Sequence, residues 1–310
     1  VQNYIYRLKR FNKYFRYLIV NMNMGIAEGL VPARVTMEKV IPQVQAHIVD
    51  DPLKSVFAEA IEKMDTTIPK AERDRLRQEI ISSIMLDVVG SYDLLKTYLQ
   101  VYYLPACRDT VGYLALPNGK ERYANRVRRY TTTDLTPQQI YDLGLSELKW
   151  IRAGMEDIKD SVGFKGSLNQ FIEHLTTDPQ FHYSTSDSLV EGFKSILTEM
   201  DKKMPLLFGK LPKTPYSYRE IEPYRAASAP DAYYYSAPDD GSRPGYFYIN
   251  SYKPEQRPKY TMQALAFHEA VPGHHLQIAI QQELTGLPNF RRHGGYTDFV
   301  EGWGLYSERL

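Results

Sequence analysis

The chain has a single cysteine, Cys107, in 310 residues. No intramolecular disulfide can form, and a cysteine-based zinc site is excluded. Net charge is almost absent: 38 Lys plus Arg against 37 Asp plus Glu leave +1. No global field draws the chain to nucleic acid or to a membrane surface. No apolar run approaches the ~20 residues of a membrane-spanning helix. Histidine is scarce, with seven in all, yet His268, His274 and His275 fall within one octet. Tyrosine is plentiful, at 25 residues. It either lines a polar-aromatic cleft or fills half-buried positions in a helical protein. With 43% hydrophobic and 24% charged residues, the chain can bury a sizeable core, in one large or two modest domains. It opens on Val1 in a helix-like pattern and stops at Leu310 inside another, so further sequence is expected on both sides.

Apolar periodicity predicts a mainly helical protein. Tyr4, Leu8, Phe11, Phe15 and Leu18 recur near a period of 3.6 over residues 1–30, and Val31-Pro32 ends that pattern. Further helices are expected over 53–64 and 70–104, the latter apolar at Ile80, Ile84, Val88, Leu95 and Leu99. Leu116-Pro117-Asn118-Gly119 reads as a turn, with a hairpin tip as one form of it. Thr136 is a fitting N-cap, Pro137 suits the first helical position and Gln139 can close a capping box, so a helix is predicted from Pro137 to about Asp160. Two more should follow, near 167–176 and 187–203. After Lys213 the composition shifts to Pro, Tyr, Ser and Ala. Two strands are predicted there, Ala232–Ser236 and Tyr246–Tyr252, joined across Pro238-Asp239-Asp240-Gly241. Helical pattern returns at Thr261 and runs through the octet to about Leu284. The expected organisation is a helical body over 1–213, then 214–310 with a small hairpin or edge sheet beside the octet's helix.

The octet is His268-Glu269-Ala270-Val271-Pro272-Gly273-His274-His275. Without Pro272 and Gly273 it is His-Glu-x-x-His, the zinc-peptidase signature, in which two histidines share a helical face and the glutamate is general base. In an unbroken helix, His268 and His274 would lie ~600° apart, on different faces. His268 and His275 would share a face but sit ~10.5 Å apart along the axis, awkward for one zinc at ~2 Å from each. Pro272 resolves the choice. It cannot donate to the carbonyl of His268, and its ring would clash there. A two-residue bulge spanning Pro272 and Gly273 brings His274 back to the face of His268. We therefore expect His268 and His274 as ligands of one zinc ion and Glu269 as base, with His275 behind a ligand or facing substrate. Glu301, 27 residues after His274 and beyond a helix break, is the expected third ligand. Asp298 and Glu308 can orient a ligand histidine. The plainer alternative is a helix end whose histidines cap and face solvent.

Other residues carry weaker expectations. The Tyr246–Tyr252 strand, with Tyr246, Tyr248 and Asn250, either pairs with extended substrate as an edge strand or is an ordinary hairpin. Tyr296 or Tyr306 can donate to an oxyanion, although core or rim packing is the plainer reading of each. Arg291-Arg292 either holds a substrate carboxylate or is a solvated turn. His47, His174 and His182 lack partners at ligand spacing, and His293, near Arg291 and Arg292, either lines the cleft or lies in a solvated loop.

The octet extended to Leu276-Gln277, with Glu301-Gly302-Trp303-Gly304-Leu305-Tyr306-Ser307-Glu308, resembles the bacterial family known as domain of unknown function 885. The resemblance continues through Gly245–Asn250, Leu135-Thr136-Pro137 and Met24–Gly29, and so covers most of the chain. It implies a gluzincin-type zinc metallopeptidase, with a mostly helical fold similar to the thimet-oligopeptidase and carboxypeptidase Taq groups. It also implies His268, His274 and Glu301 as ligands, Glu269 as base, a peptide substrate, and a sequence longer than this one. Many members are secreted, periplasmic or lipoproteins. Two rival functions stand beside peptide hydrolysis: a metal-binding module without catalysis, and a zinc hydrolase of non-peptide amides or esters.

Overall fold

Spacing of apolar residues shapes the first half of the chain in the computed structural model, which describes residues 1–310. The chain divides into two compact units, Val1–Tyr123 and Ala124–Leu310. In the first, α1 (Gln2–Leu8), α2 (Phe11–Ala27), α3 (Lys70–Ser83) and α4 (Gly90–Tyr98) carry the core. Ile80, Ile84, Val88, Leu95 and Leu99 are all buried, as their spacing predicts. Their mostly four-residue spacing slightly exceeds the α-helical period. The chain accommodates it with two wider π-type stretches, Ile84–Val89 and Leu99–Tyr103, which take up extra residues and keep one face inward. Ile5 and Leu8 pack against Ile80, Ile84 and Val88, while Phe15 packs with Leu95, Tyr98 and Leu99. The region expected as one helix over 53–64 is instead two short 3₁₀ turns and the single helical turn Glu59–Glu62. Asn118 has the expected positive φ of 52°. It leads into a helix, Gly119–Thr131, and not into a hairpin.

The second unit begins with helices α5 (Pro137–Ser161), α6 (Leu168–Thr177) and α7 (Ser186–Leu207). The capping box at Thr136 and Gln139 forms as read from the sequence, and Ser167 with Gln170 makes another. α5 buries none of its residues in this chain. α7 buries Leu189, Val190, Phe193, Leu197, Met200 and Met204 on one face. Against that face lies a mixed three-stranded sheet in the order β1-β3-β2, with β1 Tyr216–Glu220, β2 Ala232–Tyr235 and β3 Gly245–Ile249. Phe247 and Ile249 point inward, joining Met262, Ala266 and Phe267 of α8 (Lys259–Glu269) in one core.

Two readings change here. The β2–β3 hairpin exists, but β1 pairs in parallel with β3 along Tyr216↔Gly245 to Glu220↔Ile249. Tyr246 therefore lies in the central strand, and Tyr246–Tyr252 is not an edge; the edges are β1 and β2. The boundary between compact units also falls after Tyr123, where the sequence suggested 213. α7 shares its core with the strands and with α8, because its apolar face is what the inner face of the sheet covers.

Phe247 is fully buried at the centre of this core. Phe247→Ala should lower unfolding stability by about 3–5 kcal/mol, whereas Tyr235→Ala, whose side chain is exposed, should change it by less than about 1 kcal/mol. Urea denaturation midpoints followed by circular dichroism check this contrast.

Candidate metal centre

The octet does not stay in one helix. α8 ends at Glu269, Ala270 leaves helical geometry at φ −103° and ψ −102°, and α9 (His274–Gln282) begins after Gly273. A four-residue connection, Ala270–Gly273, thus replaces the expected two-residue bulge. The reason is steric. The chain at Gly273 presses on the open end of α8, where a Cβ would come within 1.9 Å of the His268 carbonyl oxygen and 2.3 Å of that of Phe267. Only glycine fits there. The connection is stapled from outside: Trp303 Nε1 donates to the Pro272 carbonyl at 2.8 Å, and the His275 N–H donates to the Ala270 carbonyl at 3.0 Å.

The consequence for the histidines is the one the sequence suggested. The His268 and His274 rings meet edge to face with centroids 4.6 Å apart. Glu301, from α10 (Thr297–Ser307), completes a group whose ligand atoms all lie within 4.8 Å of one another. His268 Nε2 is 3.4 Å from Glu301 Oε2, and His274 Nε2 is 4.0 Å from the same oxygen. The His268 ring can sit against α10 only because residue 304 is glycine; a Cβ there would come 2.6–2.8 Å from three ring atoms. Glu308, one helical turn further on, takes His268 Nδ1 at 2.8 Å. In that bond Nδ1 donates, which turns Nε2 toward Glu301, the orientation of a ligating histidine.

Electrostatics complete the picture. Burial, with His268 beside it, lowers the pKa of His274, so its ring is neutral at pH 7. Its Nδ1 is buried with no hydrogen-bond partner, and the nearest carboxylates reach Nε2 only at 4.0 Å. The unpartnered Nδ1 carries a desolvation cost of about 1–3 kcal/mol, while Nε2 is the nitrogen that faces the two carboxylates. Glu269 is largely but not fully buried, with its Oε2 4.0 Å from His274 Nε2. Burial pushes its carboxyl up to about 7, against the opposing pull of His268 and of a hydrogen bond from the Tyr234 N–H at 2.9 Å. Two imidazoles and a carboxylate form a borderline donor set that suits zinc. Glu301 is half exposed, which leaves the group open to solvent on one side. The residues present therefore fit a zinc ion.

Several expected residues stand elsewhere. Asp298 accepts from Thr132 Oγ1 at 2.7 Å and does not reach a histidine. His275 is 1% exposed and faces Tyr234 Oη at 2.9 Å, not substrate. Burial lowers its pKa to about 4. Tyr246 accepts from Arg219 Nη2, and Tyr248 stacks on Tyr233, both on the outer face of the sheet. Asn250 is fully buried; its amide donates to the carbonyls of Ala226, Ala229 and Pro230 and locks a loop. Tyr296 and Tyr306 are exposed, and Tyr306 packs on Trp303. Arg292 caps α9 through the Gln282 carbonyl. His47, His174, His182 and His293 lie outside the ligand group. A separate apolar cleft of about 1000 Å³ lies along α9 and α10, lined by Leu276, Ile280, Phe290, Phe299 and Trp303; none of the ligand residues borders it. The sequence reading missed Tyr234, whose role is made by its main chain, and Gly304, for which the Glu-Gly-Trp-Gly spacing was a usable signal.

The family model described as "Bacterial protein of unknown function (DUF885)" matches residues 1–310. The chain belongs to that family. A solved structure described as "the putative lipoprotein from Colwellia psychrerythraea" is similar to this DUF885 chain at 28% identity and a TM-score of 0.89. The match covers 98% of this chain and 53% of that one, so the chain spans about half the length of that protein. No curated protein matches. No helix is long and apolar enough to cross a membrane.

The raised Glu269 carboxyl has a stability consequence. In metal-free protein the folded state holds this proton between the ordinary value of 4.5 and about 7, where the unfolded state has lost it. Stability therefore falls as pH rises through that window. Wild type should lose up to about 3 kcal/mol more than Glu269→Gln between pH 4.5 and 7. Paired denaturation curves at fixed pH steps measure the difference. A second outcome concerns the seat of His268: Glu308→Gln should weaken zinc affinity about 10–100-fold, read by competition with a chromogenic chelator.

Proposed function

We propose that this DUF885 chain carries the catalytic core of a zinc-dependent peptidase, with His268, His274 and Glu301 as ligands and Glu269 as general base. The observation that carries the reading is the convergence of three ligand atoms within 4.8 Å beside a largely buried carboxylate 4.0 Å from His274 Nε2. A structural metal site has no use for that carboxylate. When bound, zinc would supply the Lewis acid that polarises a substrate carbonyl and eases deprotonation of water.

The chain's own residues do the rest. Glu269, with a carboxyl near neutrality, takes a proton from the attacking water and returns it to the leaving amine. Glu308 holds His268 in the tautomer that presents Nε2. Burial keeps His274 neutral and so competent to ligate. Peptide bonds are favoured over other amides and esters by β2. It is an edge strand of the sheet, and Glu269 is bonded to its main chain, so an extended backbone laid along that edge brings its carbonyl toward the base.

Purified protein should contain about one zinc per chain, measured by mass spectrometry of the metal. A peptide-library digest with and without chelator should show cleavage that chelation abolishes. Glu269→Gln should keep its zinc and lose roughly 10²–10⁴ in kcat. A stable, active, metal-free enzyme, or normal hydrolysis by Glu269→Gln, would rule the reading out.

A further inference from the structure

We propose that Tyr234 and His275 form a strut that sets the position of the Glu269 carboxylate, and that Tyr234 is a positioning residue of this site; the proposal rests on the reading of Glu269 as the general base. Glu269 is the last residue of α8, and the next residue already departs from helical geometry. A carboxylate on a flexible side chain at a helix end needs an external restraint to keep one orientation. The Tyr234 N–H supplies it, donating to Oε2 at 2.9 Å. This N–H points away from β3, because alternate residues of an antiparallel edge strand direct their main-chain groups outward.

A main-chain donor is only as well placed as its strand, and β2 is four residues long. Its side chain anchors it. Tyr234 lies opposite Phe247 in the ladder, on the inner face of the sheet, and runs over Gly245. A Cβ at 245 would lie 2.2 Å from Tyr234 Oη, so glycine there clears the path. The hydroxyl then meets His275 Nδ1 at 2.9 Å. His275 is 1% exposed, and its ring also donates to the main chain of Thr214. With one nitrogen so committed as donor, Nδ1 is the acceptor and Tyr234 donates.

The far end of the strut is equally fixed. Glu283 Oε1, just past α9, accepts the N–H groups of Lys213 and Thr214 at 2.6 and 3.1 Å. Strut and ligand thus share α9: His274 is its first residue and His275 its second. The base is referenced through Tyr234 to the same helix that presents a ligand. Any shift of α9 moves the ligand and the base's restraint together, which preserves the spacing between Glu269 and His274.

The test uses the full chain. In metal-free protein, exchange of the Tyr234 amide proton is followed by NMR. Tyr234→Phe, which removes only the hydroxyl, should speed exchange of this amide about tenfold, the loss of one hydrogen bond, while ladder amides of β3 stay protected. His275→Gln should do the same. Tyr233→Phe, on the outer face of the sheet, should leave the 234 amide unchanged. In zinc-loaded protein, Tyr234→Phe should keep its metal content. Its kcat on a quenched fluorescent peptide library should fall roughly tenfold with KM nearly unchanged. Unaltered exchange at residue 234, or faster exchange throughout the ladder, overturns the strut; so does a loss confined to KM. Wild type that cleaves no peptide would instead overturn the peptidase reading, and the amide measurement would still decide the strut.

Discussion

The site depends on a hydrogen bond that cannot be made. Pro272 has no N–H to offer the carbonyl of His268, so α8 stops at Glu269 and the chain must turn before a new helix starts. Every later feature follows from how that turn is filled. Gly273 lets the backbone lie against the end of α8. Trp303 satisfies the Pro272 carbonyl that the break leaves free. His274 becomes the first residue of α9 and so faces back across the gap toward His268. An uninterrupted signature reaches this geometry by helical periodicity alone. Here it is reached by ending one helix and beginning another.

The second principle of the site is burial without neutralisation. His274 and Glu269 are both largely buried, one with an unpartnered Nδ1 and the other with its carboxyl pushed up to about 7. In a fold selected only for stability such groups are liabilities of a few kcal/mol. They cluster with the His268 imidazole and a half-exposed carboxylate, and perturbed groups gathered in this way mark a candidate functional site. The exposed partner, Glu301, opens the group to solvent on one side. The buried partners provide the low dielectric that strengthens whatever charge develops there.

How much of this was legible depended on whether the signal was local. The capping box at Thr136 and Gln139 was legible because its two bonds lie within four residues. The core face through Ile80, Ile84, Val88, Leu95 and Leu99 was legible because spacing encodes burial. Glu308 was found as the partner of His268 because it sits two turns from Glu301 on one helix face. Asp298 failed by the same logic: it is one turn from Glu301, but its oxygen is already taken by Thr132, far away in sequence. Strand β1 was missed because Tyr-Ser-Tyr-Arg-Glu has little apolar alternation and is held by pairing with β3. That pairing turned the expected edge strand into the central one.

The amino-acid sequence by itself determined that His268 and His274 meet across a break in the helix, since a proline at one position and a glycine at the next restrict the backbone whatever surrounds them. It also determined the mainly helical class through periodicity. The tertiary structure alone decided that the break is a four-residue connection between two helices, that Glu301 arrives from the returning helix beside a glycine-made seat for His268, and that a main-chain N–H of β2 holds Glu269. Those are contacts between segments distant along the chain. Nothing in local sequence chemistry specifies them, because they arise only when the core around Phe247 brings sheet and helices together.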